Sequence, residues 1–366
     1  MMTGYDILKS LYDISDTPHF LDELQNGYIK TILTHSESHK GVLTVLITSL
    51  VKKVEMPSQD IRLHKEEFEG GYSGRGYDTK FITPFMRNYF PRFAMAESGW
   101  LTRSLEQPHP FMRDFAGKIR NRSVKTAFLE IIHDVQVNLV NPKAYLISLL
   151  NGLKQLQDFS VDIPSTTTSQ FTVSSILGLL ESHFLYTYKT SGASRLPVLA
   201  LYAVYQSLML LPRYEKKVLV PLKNQTTADT KSHSIGDIEI TNPDGQFFEA
   251  IEVNHEKLID LDMVQIAFEK IKKLPISRYY LLTTKTPNTN QLAEIEEFCS
   301  KILSQHGCEM IVNGLMPTLK YYLRLLPSLS QFLDDYTAIL QTEFSTGGIK
   351  SVHLQKWLSL ISENHP

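Results

Sequence analysis

Apolar residues recur at three- and four-residue spacing through much of the N-terminal part of the chain, which is the spacing of one helix face. This pattern predicts helices within residues 3–57 and again at Ser123–Asn138 and Pro142–Leu156. Residues 69–122 lack a clear period and are rich in Gly, aromatic and basic residues, so loops or short helices are expected there. The N-terminal part is therefore predicted to be mainly helical.

A linker-like stretch follows these helices. Val161–Gln170 contains Pro164 followed by five Ser or Thr residues, a composition typical of a connection between domains. We therefore place a boundary there, between a mainly helical region at 1–165 and a second domain at 166–366.

Strand and helix patterns alternate in the second region. Ser194 is expected to cap a helix whose first turn contains Pro197. An antiparallel start followed by this alternation predicts an α/β (α+β) fold in which helices flank a mixed β-sheet. Helices are expected at Thr172–Thr187, Ser191–Gln206, Leu261–Lys273, Asn290–Gln305 and Thr318–Gln341, and strands at Lys217–Pro221, Ile235–Thr241, Gln246–Asn254, Tyr279–Thr284 and Met310–Asn313.

The composition is that of an ordinary soluble globular protein, with 366 residues of which 42% are apolar and 21% charged. No apolar run approaches the roughly 20 residues that a membrane span requires. The N-terminus lacks the basic-then-apolar pattern of an export signal, and the two cysteines are too few for a disulfide framework. These features predict a cytoplasmic protein without a membrane span.

The strongest local signal is a hairpin in which Asn242–Gly245 forms the turn. A two- or four-residue loop puts Asp237, on the first strand, directly opposite Glu252, on the second. A three-residue loop with a Gly bulge is also compatible with Pro-Asp-Gly, and that one-residue slip sends Glu252 to the other face. The sequence leaves both registers open.

In the first register, Asp237 and Glu252 share one side of the hairpin with Asn254, because strand side chains alternate. Two carboxylates with water and phosphate oxygens suit Mg²⁺. The alternative is an ordinary hairpin with its polar residues outside and its Ile and Val residues inside.

The pattern Gly236-Asp237 … Glu252-Val253-Asn254 resembles the PD-(D/E)XK nuclease signature. Further stretches make the chain similar to type II restriction endonucleases: Tyr72–Phe85, Ser98–Glu106, Gly192–Ala200 and Gly236–Ile240 with Glu249–Val253. The resemblance implies a restriction-endonuclease-like core and Mg²⁺-dependent cleavage of double-stranded DNA at a short sequence. It also implies a partner DNA methyltransferase that protects host DNA. A homodimer is expected, because symmetric target sites usually go with two-fold dimers.

The resemblance assigns Asp237 and Glu252 as Mg²⁺ ligands and Asn254 as the third signature residue, which is usually Lys. Asn can hold a water molecule but adds no positive charge, so a weakened or inactive DNA-binding protein is the alternative. Lys257, or a lysine of the preceding loop (Lys223 or Lys231), could supply the missing charge.

Four other residues are accessory candidates. Glu239 shares the face of Asp237 and could bind a second metal ion, whereas Glu249 falls on the opposite face unless the register slips. His255 could act as a general base, and Glu181, on a preceding helix, could supply an oxygen ligand.

Basic residues cluster in one part of a chain whose net charge is only −2. Between Arg75 and Lys125 there are ten Lys or Arg and four Asp or Glu, an excess that phosphate contacts need. A solvated charged face is the plainer interpretation, and the aromatic residues Tyr77, Trp100 and Phe111 could stack on bases or anchor loops. The DNA-contact candidates are Arg75, Lys80, Arg87, Arg103, Lys118, Arg120, Arg122 and, at a helix start, Arg195.

Overall fold

The computed structural model describes residues 2–16, 21–101, 105, 108–157, 171–222, 234–287 and 289–363. Contacts divide the chain into two compact units. The first is residues 1–161 with 226–228 and 345–347, and the second is residues 162–225, 229–344 and 348–366. The predicted linker Val161–Gln170 lies outside the described residues.

The first unit is built from helices, as the sequence predicts. Thr3 and Asp22 cap the first two helices through reciprocal capping boxes. The third helix is buried continuously from Gly41 to Val51 and is the centre of this unit's core. The helices are α1 Gly4–Asp13, α2 Glu23–Thr34, α3 Lys40–Glu55, α4 Gly74–Tyr77, α5 Thr83–Tyr89, α6 Arg122–Gln136 and α7 Pro142–Gln157, with a π-helical turn at Asp78–Ile82 and a 3₁₀ turn at Gly99–Leu101.

The second unit contains a five-stranded mixed sheet with helices around it, so the predicted α+β class is confirmed. Its strands are β1 Val218–Leu219, β2 Ile238–Thr241, β3 Phe247–Asn254, β4 Arg278–Thr283 and β5 Glu309–Gly314. Its helices are α8 Val173–Phe184, α9 Leu196–Leu208, α10 Leu261–Ile271, α11 Leu292–His306, α12 Leu315–Leu323, α13 Leu329–Ser345 and α14 Ser351–Glu363. In the described parts of the chain, no helix is long and apolar enough to cross a membrane.

The strands lie in chain order across the sheet. β1, β2 and β3 are antiparallel neighbours, whereas β3, β4 and β5 are parallel and need the crossover helices α10 and α11. Those two helices pack on one sheet face, where the cross-strand row Ala250, Tyr279 and Met310 is buried against them. Helix α10 therefore covers the same face that carries Glu252.

Two predicted features of the second unit are wrong. The single helix expected at Thr318–Gln341 is two helices, because Pro327 lacks a backbone N–H and disfavours the helical conformation of the residue before it. Ser194 lies inside a 3₁₀ turn at Ala193–Arg195 and does not cap α9, although Pro197 does occupy the first turn of that helix.

Arg195 is also placed differently from its predicted position at a DNA surface. Its side chain is only 6% exposed and pairs with Glu343, also 6% exposed, with Nη2 3.2 Å from Oε1. A guanidinium that enters the interior in this way offsets a buried carboxylate, so Arg195 stabilises the fold of the second unit and does not present its charge at the surface.

We expect Arg195→Met to lower the free energy of unfolding by about 3–5 kcal/mol, because it removes the cation that is paired with the buried carboxylate of Glu343. Urea denaturation at neutral pH measures this loss, and adding Glu343→Leu should recover part of it. The control is Lys301→Met, which removes an exposed pair with Glu297 and should leave stability close to that of the wild type. A wild-type midpoint for Arg195→Met contradicts the assignment.

Candidate active site

The sequence left two hairpin registers open. The hairpin has the three-residue loop of the second register but the strand pairing of the first. The Asn242 N–H donates to Gln246 O at 2.8 Å and Gly245 has φ of 83°, so the loop is the three-residue type with a left-handed glycine. The ladder then shifts by one residue between Ile240 and Thr241. Thr241 pairs with Phe247 and Ile240 with Glu249, which leaves Phe248 as an extra residue on β3. This β-bulge cancels the slip that the loop introduces.

Asp237 and Glu252 therefore lie side by side, as the first register predicts. The Asp237 N–H donates to Ile251 O at 2.8 Å, and Asp237 Oδ2 accepts from the Val253 N–H at 2.8 Å, so the two bonds enclose Glu252. Gly236 permits this approach, because a Cβ atom there would lie 2.7 Å from Ile251 O. Both carboxylates line one cavity of about 340 Å³.

A lysine that the sequence did not single out completes this cavity. Lys270, in the last turn of α10, lines it and donates from Nζ to Glu252 Oε2 at 2.5 Å. The Tyr279 hydroxyl lies 2.8 Å from the same oxygen and 2.7 Å from Ile235 O, so its single proton is shared by two acceptors. One feature of the sequence could have indicated Lys270. A helix that connects two parallel strands packs on one face of the sheet, so its side chains come close to the strand residues on that face, here Glu252.

The electrostatics of the site disfavour charge on Asp237. Asp237 is solvent-accessible, yet the surrounding protein desolvates its carboxyl enough to raise its pKa, and the negative charge of Glu252 adds to the increase. The Val253 N–H and the charges of Arg195 and Lys270 act in the opposite direction. Burial, with Glu252 beside it, also raises the pKa of Tyr279. A divalent cation at this position would relieve the repulsion between the carboxylates.

Glu239 does not join this cavity as a second metal ligand. Its side chain is 7% exposed and accepts from the Ile235 N–H at 2.8 Å and from Ser234 Oγ at 2.9 Å. The residues that line the cavity include Ser234 and Ile235 but not Glu239. Glu239 therefore fastens the loop that carries Asp237.

Three candidates that follow Glu252 in the chain, Asn254, His255 and Lys257, do not line the cavity. Asn254 follows on the same side of β3, and its Nδ2 is buried and makes no hydrogen bond to any described residue. His255 Nδ1 lies 3.4 Å from Thr284 Oγ1, and burial lowers its pKa. The Lys257 side chain is exposed outside the cavity, and Lys223 and Lys231 lie outside the described residues.

The remaining two acids are remote from the cavity. Glu249 lies on the opposite sheet face, as expected for the first register, and is fully buried beside Arg213 and Tyr214. Glu181 is exposed on α8 and does not line the cavity. Neither placement brings a third carboxylate to Asp237 and Glu252.

In the first unit, most predicted DNA contacts are at the surface. Arg103 lies outside the described residues. Trp100 and Phe111 are each 1% exposed, so they anchor loops and do not offer their rings to bases. The exposed basic residues are Arg75, Lys80, Arg87, Lys118, Arg120 and Arg122.

A buried carboxylate organises the segment that carries three of these basic residues. Asp78 accepts from Thr83 Oγ1 at 2.8 Å, from Ser98 Oγ at 2.6 Å and from the Gly99 N–H at 2.8 Å. Burial raises the pKa of Asp78, and these hydrogen bonds oppose that increase. The segment is therefore held in one conformation while its Arg and Lys side chains extend outward.

The donors present fit a cation that takes most of its ligands from water or substrate. Within the described ranges, no three His, Cys, Asp or Glu side chains come close enough together to hold a metal ion. Two adjacent carboxylates at an open cavity are the protein share that Mg²⁺ usually receives, with water and phosphate oxygens filling the other positions.

Comparisons with known proteins do not add a family to this geometry. None of the protein-family models matches the chain, and no match was found among the curated proteins. The chemical interpretation of the site therefore depends on its own residues.

Asp237→Asn should make the metal-free protein more stable at pH 7. The folded state raises the Asp237 pKa, so stability is lost as pH rises from the ordinary value of 3.8 through the raised value. The gain in thermal midpoint should disappear below about pH 4, where the carboxyl is protonated in both states. Mg²⁺ should raise the midpoint of the wild type but not of Asp237→Asn. Asp244→Asn, at the tip of the same hairpin, is the control and should respond to Mg²⁺ as the wild type does. If Mg²⁺ raises the midpoint of Asp237→Asn as much as that of the wild type, Asp237 is not a ligand.

Proposed function

We propose that this protein is a type II restriction endonuclease that hydrolyses phosphodiester bonds of double-stranded DNA at a specific sequence with Mg²⁺. The observation that carries the proposal is the convergence of Asp237, Glu252 and Lys270 in one open cavity at the sheet. An antiparallel hairpin joined through a helix to a parallel strand is also the strand arrangement expected of a PD-(D/E)XK core.

The chain supplies the binding and electrostatic groups of this reaction. Bound at Asp237 and Glu252, Mg²⁺ would act as a Lewis acid and lower the pKa of water. Lys270 contributes the positive charge that Asn254 lacks at the third signature position. Its ammonium group can offset phosphate charge and orient the attacking water, while the Asn254 amide can hold water by a hydrogen bond.

The substrate assignment rests on charge in the first unit. Six exposed Arg and Lys side chains there are suited to phosphate contacts, and either type of side chain can read guanine in the major groove. Two-fold symmetric DNA sites are bound by two-fold dimers, so a homodimer is part of the proposal. A methyltransferase that modifies the same sequence would be the functional partner.

The second candidate is a DNA-binding protein with a nuclease fold that does not cut, which Asn254 motivates. Lys270 argues for the active form, because it restores the charge that the substitution removes. Specific binding without cleavage under any divalent metal would decide for the second candidate.

With unmethylated phage DNA and Mg²⁺, the wild type should yield discrete fragments with mappable ends. Asp237→Asn and Glu252→Gln should each reduce cleavage by more than about 100-fold, beyond the loss typical of residues that only support a metal ligand. Discrete fragments that persist in both variants would remove this cavity from the mechanism.

Lys270→Met should slow cleavage at saturating Mg²⁺ without raising the half-saturating Mg²⁺ concentration, because Lys270 pairs with Glu252 and competes with the cation for that carboxylate. Adding Asn254→Lys should restore part of the rate by returning a positive charge to the third position. Lys273→Met, three residues further along the chain, is the matched control and should cut as the wild type does. Normal cleavage by Lys270→Met rules out the catalytic role.

A further inference from the structure

The other face of the sheet carries a polar cluster that the proposed chemistry does not use. Glu249 is fully buried there, and its Oε1 accepts from the Tyr214 hydroxyl at 2.7 Å. Its Oε2 accepts from Arg213 Nη2 at 3.1 Å. A carboxylate without exposure requires such partners, so the segment that contains Arg213 and Tyr214 is tied to β3 at this point.

The same segment also contacts the extra residue of the bulge. The Phe248 ring packs edge-on against Tyr214, with centroids 6.2 Å apart and planes at 87°. The Arg213 guanidinium lies 5.5 Å from the Phe248 centroid, and Lys217 Nζ lies 4.5 Å from it. Phe248 is thus held by one ring and two cations on the side of the sheet away from the cavity.

One of these cations also holds the hairpin loop. Lys217 Nζ donates to Asn242 Oδ1 at 2.6 Å, at the residue where the three-residue loop begins. The segment reaches this position through a tight turn in which the Lys217 N–H donates to Tyr214 O at 2.9 Å and Lys216 has φ of 60°. A positive φ is uncommon for a residue other than glycine, so packing must hold this turn in place.

In a hairpin that contains Phe248, the three-residue loop and the bulge must occur together for the two acids to converge. The loop alone would pair Glu252 one position out of register and send its side chain to the opposite face. The extra residue Phe248 removes that offset before the ladder reaches Ile251.

We propose that Arg213, Tyr214 and Lys217 are positioning residues that hold Phe248 in the bulge and thereby keep Glu252 beside Asp237. None of them touches the cavity. The effect on Mg²⁺ binding that this inference predicts rests on the proposed function, whereas the effect on strand register does not.

The test is a double-mutant cycle between Tyr214→Phe and deletion of Phe248. Deleting Phe248 should preserve the facing of Asp237 and Glu252, because it removes the residue that the ladder skips. The Mg²⁺ concentration needed for half of the maximal thermal stabilisation is the first measurement. Tyr214→Phe should raise it about tenfold or more in the full-length hairpin and leave it unchanged in the deletion background. If Mg²⁺ stabilises the wild type, an equal shift in both backgrounds, or no shift in either, overturns the inference.

Tyr145→Phe is the matched control, because it removes another hydroxyl-to-carboxylate bond, from Tyr145 to Asp134 at 2.7 Å in the first unit. It should lower stability without changing the Mg²⁺ midpoint. If the deletion variant does not fold, Arg213→Gln is used in its place. Arg213→Gln and Tyr214→Phe should both raise the Mg²⁺ midpoint, and an unchanged Mg²⁺ midpoint in both variants overturns the inference.

Amide exchange separates this inference from the proposed function. In the observed register, the Val253 N–H is protected by its hydrogen bond to Asp237 Oδ2. In the metal-free protein, Tyr214→Phe should accelerate exchange at Val253 more than at the helix amides of α10. That result supports the positioning role even if Mg²⁺ stabilises nothing, an outcome that would remove the proposed function alone. Unchanged exchange at Val253 overturns the positioning role directly.

Discussion

The pairing of β2 with β3 is the constraint on which the candidate site depends. Asp237 bonds to the backbone on both sides of Glu252, and the ladder reaches that arrangement only because a three-residue loop is followed by a bulge at Phe248. A shift of one residue would exchange the two faces of β3 and take Ile251 and Val253 away from the packing in which they are buried. The burial of those side chains and the convergence of the two acids are thus consequences of the same register.

An unfavourable charge at the centre of the site is surrounded by hydrogen bonds that hold its neighbours in place. Desolvation, with Glu252 beside it, raises the pKa of Asp237, so the charge of Asp237 opposes folding of the metal-free protein. Tyr279 and Lys270 hold Glu252, and Glu239 holds the loop that precedes Asp237. Such unfavourable electrostatics, retained by surrounding hydrogen bonds, are common where proteins bind cations or catalyse reactions, because function and stability make opposing demands.

Local patterns predicted several elements of both units well. The strands β3, β4 and β5 and the helices α6, α7, α10 and α11 lie within two residues of their predicted limits. The prediction failed at α12 and α13, where the apolar pattern continues across Pro327 although the helix does not. It also failed for Arg195, because an arginine buried against Glu343 has the same sequence signature as one at a DNA surface.

The sequence by itself determined that two acids flank a turn and that Asn254 follows the second acid by two residues, and it predicted the mixed sheet around them. Side-chain alternation along a strand and the conformational preferences of Asn, Pro and Gly are local properties, so they can be inferred from neighbouring residues alone. Only the tertiary structure decided the register, the bulge and the arrival of Lys270 from α10. These depend on packing between segments distant in the chain: Tyr214 contacts Phe248 across the sheet, and α10 lies over β3 because a parallel crossover must cover the strands that it joins.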